Sequence, residues 1–163
     1  MYKRTFIKDL SAKKGEEVSI SGWVDVRRDQ GKMIFLDIRD MTGKVQSVVL
    51  PNHTEALEVA KTLRGEWVVK IIGKVNARPE KNVNPEVANG DIELEVTGVE
   101  VLAKAEPLPF DMSLDGYNLD LVTELDNRAL ALRHPKVQAV FKVQETIIDA
   151  FREHLKSNMF FEF

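Results

Sequence analysis

A phenylalanine stands on the polar side of a predicted β-hairpin. In residues 31–51, GKMIFLDIRDMTGKVQSVVLP, Ile34 and Leu36 alternate with Phe35 and other outward residues, and Gln46 falls on the same side of the next strand. A bare phenyl ring is a stacking platform for an unpaired base, and a glutamine amide can both donate to and accept from the edge of that base. The pair therefore indicates a surface that recognises single-stranded nucleic acid.

Four further polar side chains are candidates for the same surface. Arg28 lies at the loop after the first predicted strand, Arg78 and Asn82 lie at the start of the loop between the fourth and fifth strands, and Glu93 faces outward from the fifth. Arginine neutralises phosphates or stacks on bases, while Asn and Glu pair with base edges. We expect this set to read particular bases. The alternative is that Arg78 and Glu93 only pair with each other across two strands, a link worth little at a surface.

Charge and composition narrow the class of protein. The 163 residues carry a net charge of −3 and no cysteine, which excludes disulfides and thiolate zinc sites. Residues 1–50 nevertheless hold ten Lys and Arg against seven Asp and Glu, whereas residues 51–163 are acidic. The basic surplus coincides with the candidate surface, where a local patch could face phosphates.

Several common signals are missing from the chain. There is no secretory apolar region near the N-terminus and no run long enough to span a membrane, so we expect a cytoplasmic protein. No phosphate-cradling GxxxxGK[ST] or GxGxxG motif occurs, and the three histidines are scattered. We therefore assign no catalytic residue and no metal ligand in this chain.

The elements that must position these side chains follow from periodicity. Alternating residues predict strands at 17–28, 33–40, 44–50, 66–78 and 91–105, with a helix at 52–65 between the third and fourth. In the first strand Val24 and Val26 are expected to point inward, and Asn52 or Thr54 is expected to cap the helix. This order predicts a mainly β fold with α, a five-stranded OB-fold Greek-key barrel. Another small barrel, such as an SH3-like one, is disfavoured by the helix.

Regularity changes beyond the barrel. Residues 106–117, EPLPFDMSLDGY, are expected to form a hinge because prolines interrupt them. Residues 118–133 are expected to be helical but short. A long helix should begin at Pro135, end at Ser157-Asn158 and be followed by a strand over MFFEF. Because an unpaired apolar strand is a poor end for a domain, we expect the natural chain to continue.

The motifs resemble one known family. GWVDVRRDQGKMIFLDIRDMTGKVQ, NARPEKNVN and NGDIELEV are similar to the anticodon-binding domain of bacterial-type, class II aspartyl-tRNA synthetases, over residues 1–105. LDNRALALRHP resembles the stretch that opens the catalytic domain of that family, and the following helix with MFFEF resembles its motif 1. Residues 118–163 would then be the truncated start of that catalytic domain.

The resemblance implies roles for the candidate residues. Phe35 would stack on the central anticodon uridine, Gln46 would hydrogen-bond to it, and Glu93 would read the first anticodon base. Arg28, Arg78 and Asn82 would contact the anticodon bases or their backbone.

The resemblance also implies partners and cofactors. The full-length enzyme would use ATP and Mg²⁺ to attach aspartate to tRNA and would form a homodimer through residues 136–163. Motifs 2 and 3 are absent, so this segment should bind the tRNA anticodon loop, not DNA or a membrane, without catalysing the reaction. The alternatives are a free-standing OB-fold that binds single-stranded RNA, or the equivalent domain of an asparaginyl- or lysyl-tRNA synthetase.

Overall fold

The computed structural model describes residues 3–110 and 118–163. The chain divides into two compact units, Met1–Pro107 and Leu108–Phe163. Part of the predicted hinge, residues 111–117, lies outside the described residues.

Five strands form a closed barrel in the first unit. They are β1 (Glu17–Asp29), β2 (Ile34–Asp40), β3 (Gly43–Val49), β4 (Val68–Ala77) and β5 (Ile92–Ala103). The barrel closes in the order β1-β2-β3-β5-β4, and helix α1 (Thr54–Thr62) joins β3 to β4. Neighbouring strands are antiparallel except for the short parallel contact between β3 and β5. The predicted OB-fold, with its helix between strands three and four, is confirmed.

Alternation along the strands builds the core. Ile34, Leu36 and Ile38 on β2 are almost completely buried, as are Leu94 and Val96 on β5. Because successive side chains of a strand point to opposite faces, the intervening residues are directed to the outside. The hydrophobic burial that stabilises the barrel therefore also fixes which side chains face outward.

A short 3₁₀ helix at the N-terminus completes the core, and the sequence analysis did not anticipate it. This helix spans Ile7–Lys13 and contributes the fully buried Ile7 and Leu10. The backbone N–H of Ile7 donates to Asp40 Oδ2 at 3.0 Å, and the other carboxylate oxygen of Asp40 accepts from the turn between β2 and β3. One aspartate thus joins the N-terminal segment to a hairpin.

Helix α1 is shorter than predicted at both ends. His53 occupies the N-cap position without a side-chain hydrogen bond, so the predicted caps Asn52 and Thr54 were wrong. The helix ends at Thr62 and not at Gly65, because Leu63 turns to an extended backbone conformation and is fully buried in the core. Tertiary packing, and not glycine, ends this helix.

The second unit is helical. Its helices are α2 (Leu121–Asp126), α3 (Arg128–Ala131) and α4 (Pro135–Ser157). Proline occupies the first turn of α4 as predicted, and Nδ1 of the N-cap His134 accepts from the backbone N–H of Lys136 at 3.2 Å. The strand predicted over residues 159–163 is not formed, since no strand of the described residues pairs with that segment. None of the helices in 3–110 or 118–163 has the length and apolarity to cross a membrane.

One core position carries a polar side chain. Ser47 on β3 faces inward between Val45 and Val49 and is completely buried. Its Oγ has no hydrogen-bond partner among the described residues. A buried hydroxyl without a partner lowers stability, because it loses its hydrogen bonds to water on folding.

Replacing Ser47 should therefore not weaken the barrel. We expect Ser47→Ala to leave the free energy of unfolding unchanged or to raise it by about 1–2 kcal/mol, measured by urea denaturation. Ser11→Ala is the contrasting variant, because the Ser11 hydroxyl lies 3.1 Å from both Asn89 Oδ1 and Asp91 Oδ1. That variant should lower stability. A clear loss of stability in Ser47→Ala would show that its hydroxyl has a partner in solution.

Candidate nucleic-acid interface

Two rows of side chains cross the outside of the barrel and form what we call the interface face. The first row comprises Arg28, Phe35, Val48 and Glu95, which lie opposite one another on β1, β2, β3 and β5. The second row comprises Val26, Asp37, Gln46, Glu93 and Asn76, on β1, β2, β3, β5 and β4. The strand register thus brings four of the six predicted residues, Arg28, Phe35, Gln46 and Glu93, onto one surface.

Phe35 faces outward, as predicted. It is half-buried, whereas Ile34 and Leu36 on either side have no more than 1% of their surface exposed. Its cross-strand neighbour Val48 also faces outward and is 5% exposed. Within the described residues no ring or cation packs on the phenyl group. Because Val48 is almost completely buried, the outer face of the Phe35 ring is the apolar surface that a planar ligand can cover.

Gln46 and Glu93 are joined to each other. Gln46 Nε2 donates to Glu93 Oε2 at 2.7 Å, across the parallel contact between β3 and β5. Gln46 lies on the same face as Phe35 and diagonal to it, two residues from its neighbour Val48. Within the described residues, the amide oxygen of Gln46 and Glu93 Oε1 make no hydrogen bond and remain for a ligand.

Arg28 reaches this face because of a β-bulge. Val24 pairs with Ile38 and Val26 with Asp37, so Asp25 is an extra residue in β1. The bulge reverses the inside–outside alternation beyond it. Val26, predicted to point inward, is therefore outside with 41% of its surface exposed. By the same reversal Arg28 lies opposite Phe35, and its Nη2 donates to Asp37 Oδ1 at 3.2 Å.

Charged hydrogen bonds hold the bulge in place. The carboxylate of Asp25 accepts from Arg39 Nε on β2 and from Lys44 Nζ on β3, each at 3.1 Å. Arg39 also pairs with Glu66, just before β4, and its guanidinium lies 5.4 Å from the centre of the Trp23 ring. Arg39 and Lys44 thus neutralise carboxylates, so the basic surplus of the first fifty residues does not form an uninterrupted patch.

Arg78 and Asn82 occupy the start of the loop between β4 and β5. The backbone N–H of Arg78 donates to the carbonyl oxygen of Asp91 at 3.0 Å. Its guanidinium makes no ion pair in the described residues, and its Nε is buried without a hydrogen-bond partner. The alternative pairing of Arg78 with Glu93 is not formed; Glu93 accepts from Gln46. Asn82 is exposed in the 3₁₀ turn Glu80–Asn82, and no side-chain contact joins it to the other candidates among the described residues.

Hydrogen bonds and an ion pair join the rest of that loop to the barrel and to the N-terminal segment. Asn89, with a φ of 60°, donates through Nδ2 to the carbonyl oxygens of Ile7 and Lys44, each at 3.2 Å. A Cβ on Gly90 would lie 1.9 Å from the Asn84 carbonyl oxygen, so only glycine fits there. Lys14 Nζ, 2.7 Å from Asp91 Oδ2, holds the pKa of that carboxyl below its ordinary value. A depressed pKa stabilises the fold at neutral pH, and this contribution is lost as pH falls through the folded-state pKa.

A second cluster, not predicted from the sequence, lies on the interface face. Glu95 Oε1 lies 3.3 Å from His53 Nε2, and Glu95 Oε2 accepts from Asn76 Nδ2 at 2.9 Å. The outward phase of β5 indicates Glu95, but His53 lies in the segment before α1 and Asn76 on β4, so only the fold reveals the cluster. No group of three or more potential metal ligands occurs in the part of the chain that the structure describes.

Comparisons with known proteins agree with this geometry. Residues 18–102 match the tRNA anticodon family model, described as an OB-fold nucleic acid binding domain. The chain is 38% identical over 149 residues to aspartate–tRNA ligase of Staphylococcus aureus, covering 91% of this chain and 25% of that protein. It therefore spans about a quarter of the length of the curated relatives it matches.

Solved structures give the same result. Aspartyl-tRNA synthetase from Entamoeba histolytica superposes with a TM-score of 0.84 at 26% identity, covering 99% of this chain and 39% of that one. Asparaginyl-tRNA synthetase from Pyrococcus horikoshii, complexed with asparaginyl-adenylate, gives a TM-score of 0.77 at 33% identity, with coverages of 97% and 35%.

The bulge can be tested through its carboxylate. Asp25→Ala removes two charged hydrogen bonds at a site where Arg39 is only 22% exposed, so we expect the free energy of unfolding to fall by about 1–3 kcal/mol. Glu86→Ala is the matched control, because the Glu86 side chain is exposed and unpaired within the described residues. Equal denaturation midpoints for the two variants would contradict a stabilising role of Asp25.

Proposed function

Because the chain belongs to the tRNA anticodon family of OB-fold nucleic acid binding domains, we propose that its interface face binds the anticodon loop of tRNA for aspartate. The observation that carries this proposal is the outward, half-buried Phe35 ring, on which no ring or cation packs among the described residues, and which lies diagonal to the Gln46 amide. A ring beside an amide can stack an unpaired base and hydrogen-bond to its edge.

Each candidate residue has a role in this proposal. Phe35 stacks on the central uridine and Gln46 hydrogen-bonds to it, while Glu93 accepts from the first base. Arg28 and Arg78 supply positive charge on either side, Arg28 beside Phe35 and Arg78 after β4. Asn82 contacts the bases or the backbone from the exposed 3₁₀ turn.

We further propose that the chain acts within a cytoplasmic aspartate–tRNA ligase. The 38% identity to the Staphylococcus aureus enzyme over most of this chain supports that assignment. The complete enzyme would use ATP and Mg²⁺ to join aspartate to tRNA. No catalytic residue of that reaction is proposed within these 163 residues, whose contribution is to recognise the tRNA.

Helix α4 supports a homodimer as the assembly of the complete enzyme. Its apolar side chains are largely exposed in the structure, among them Val140, Val143, Ile147 and Phe151. Each of these four has more than half of its surface accessible. We propose that residues 136–163 bury this surface against a second subunit.

Recognition of asparagine tRNA is the second candidate, favoured by the 33% identity to the Pyrococcus horikoshii enzyme. The anticodons for aspartate and asparagine share their first two bases and differ in the third. Phe35, Gln46 and Glu93 are assigned to the shared bases. The choice between the two tRNAs would therefore depend on residues that contact the third.

A titration with RNA stem-loops tests the function. The chain should bind a stem-loop with the aspartate anticodon more tightly than loops with the first, middle or third base replaced, and binding should weaken as salt rises. A loop with the asparagine anticodon measures the second candidate directly. Equal affinity for all loops would leave only a non-specific RNA-binding module, and a flat salt response would remove phosphate contacts from the proposal.

Removing the ring tests its stacking role. We expect Phe35→Ala to weaken binding of the aspartate stem-loop by about 1–3 kcal/mol, measured by fluorescence anisotropy, because stacking contributes that much per base. Phe6→Ala is the matched control, since it removes a partly exposed phenyl ring that is not on the interface face. If both variants bound as tightly as the parent chain, Phe35 would not be a stacking platform.

A further inference from the structure

Gln46 lies between two carboxylates on the interface face. Asp37 is opposite it on β2, and Glu93 lies beside it on β5. Asp37 is occupied by Arg28, whereas Glu93 Oε2 is 2.7 Å from Gln46 Nε2. An ionised carboxylate can only accept hydrogen bonds. Glu93 therefore requires the nitrogen of the Gln46 amide, and not its oxygen, to face it.

This contact removes a freedom that a glutamine amide normally has. An amide that is turned over exchanges its donor and acceptor, so an unconstrained glutamine can match either pattern on a base edge. With Nε2 directed toward Glu93, Gln46 presents its oxygen as the free acceptor. The alternative orientation would set the amide oxygen against the carboxylate and leave both acceptors unpaired.

We propose that Glu93, by fixing the orientation of the Gln46 amide, determines which base Gln46 can hydrogen-bond at the middle anticodon position. Discrimination at the middle base then depends on Glu93, the residue assigned to the first base. This inference rests on the proposed function. Uracil presents an N3–H donor to the Gln46 oxygen, whereas cytosine presents an N3 acceptor that the same oxygen repels. A hydrogen bond to N3 of cytosine would need the amide turned over, and Glu93 opposes that orientation.

A competing explanation for any effect of replacing Glu93 is the loss of its negative charge. Variants of Glu95 distinguish this explanation from a change in the orientation of Gln46. Glu95 lies two residues further along β5 on the same face, and it also carries a negative charge toward the RNA. It is held by His53 and Asn76 and, within the described residues, makes no hydrogen bond with Gln46. Replacing Glu93 also removes its contact with the first base, but that loss is common to stem-loops that differ only at the middle base. Only Glu93 acts on the orientation of Gln46, so only its replacement should change the ratio of the two affinities.

The experiment measures a ratio of affinities. The 163-residue chain, Glu93→Gln and the matched control Glu95→Gln are titrated with two stem-loops that differ only in having uracil or cytosine at the middle position. A glutamine at position 93 retains the size of Glu93, but its amide can pair with Gln46 in either orientation. Glu93→Met and Glu95→Met repeat the comparison with side chains of similar length whose thioether sulfur is only a weak hydrogen-bond acceptor.

We expect both Glu93 variants to lower the preference for uracil over cytosine, Glu93→Met by roughly tenfold, the factor that corresponds to about one hydrogen bond. Both Glu95 variants should keep the parent ratio. An unchanged ratio in the Glu93 variants, or an equal fall in the Glu95 variants, would overturn the inference while leaving anticodon binding intact. If the parent chain bound neither stem-loop in preference to an unrelated RNA, the proposed function itself would fall, and this inference with it.

Discussion

The positions of Val26 and Arg28 on the interface face depend on one extra residue in β1. Without the bulge at Asp25, Arg28 would share the inward phase of Val24, and Arg27 would instead lie opposite Phe35. The side chain of Asp25 itself stabilises the bulge, because its carboxylate accepts hydrogen bonds from Arg39 on β2 and Lys44 on β3. Arg39 and Lys44, which a count of charges would assign to RNA binding, thus stabilise the bulge that positions Arg28.

A surface that binds a polyanion would not be expected to carry carboxylates, yet three lie on this face. Each is held by a partner: Asp37 by Arg28, Glu93 by Gln46, and Glu95 by His53 with Asn76. Carboxylates fixed in this way can accept hydrogen bonds from bases at defined positions, while the Arg28 guanidinium limits the repulsion of phosphates by Asp37. The arrangement suits recognition of particular bases more than uniform attraction to a strand.

The two units use apolar residues differently. In the barrel, the alternating strands, α1 and the N-terminal 3₁₀ helix bury nearly all large aliphatic side chains in one cluster. Along α4, by contrast, Val137 is buried but most of the other apolar residues are exposed. A helix with so much accessible apolar surface is consistent with assembly, whereas the barrel has the closed core of an independent recognition module.

The sequence by itself determined the barrel, because the two-residue period of β2, β3 and β5 separates core from surface without reference to other strands. The same period placed Phe35, Gln46 and Glu93 on the outside. The tertiary structure decided the features that the spacing of residues within one strand or helix does not specify. An extra residue in β1 turned Val26 outward, burial of Leu63 ended α1 early, and strand register joined Gln46 to Glu93. These features arise from contacts between residues far apart in the chain, so no local pattern of residue types records them.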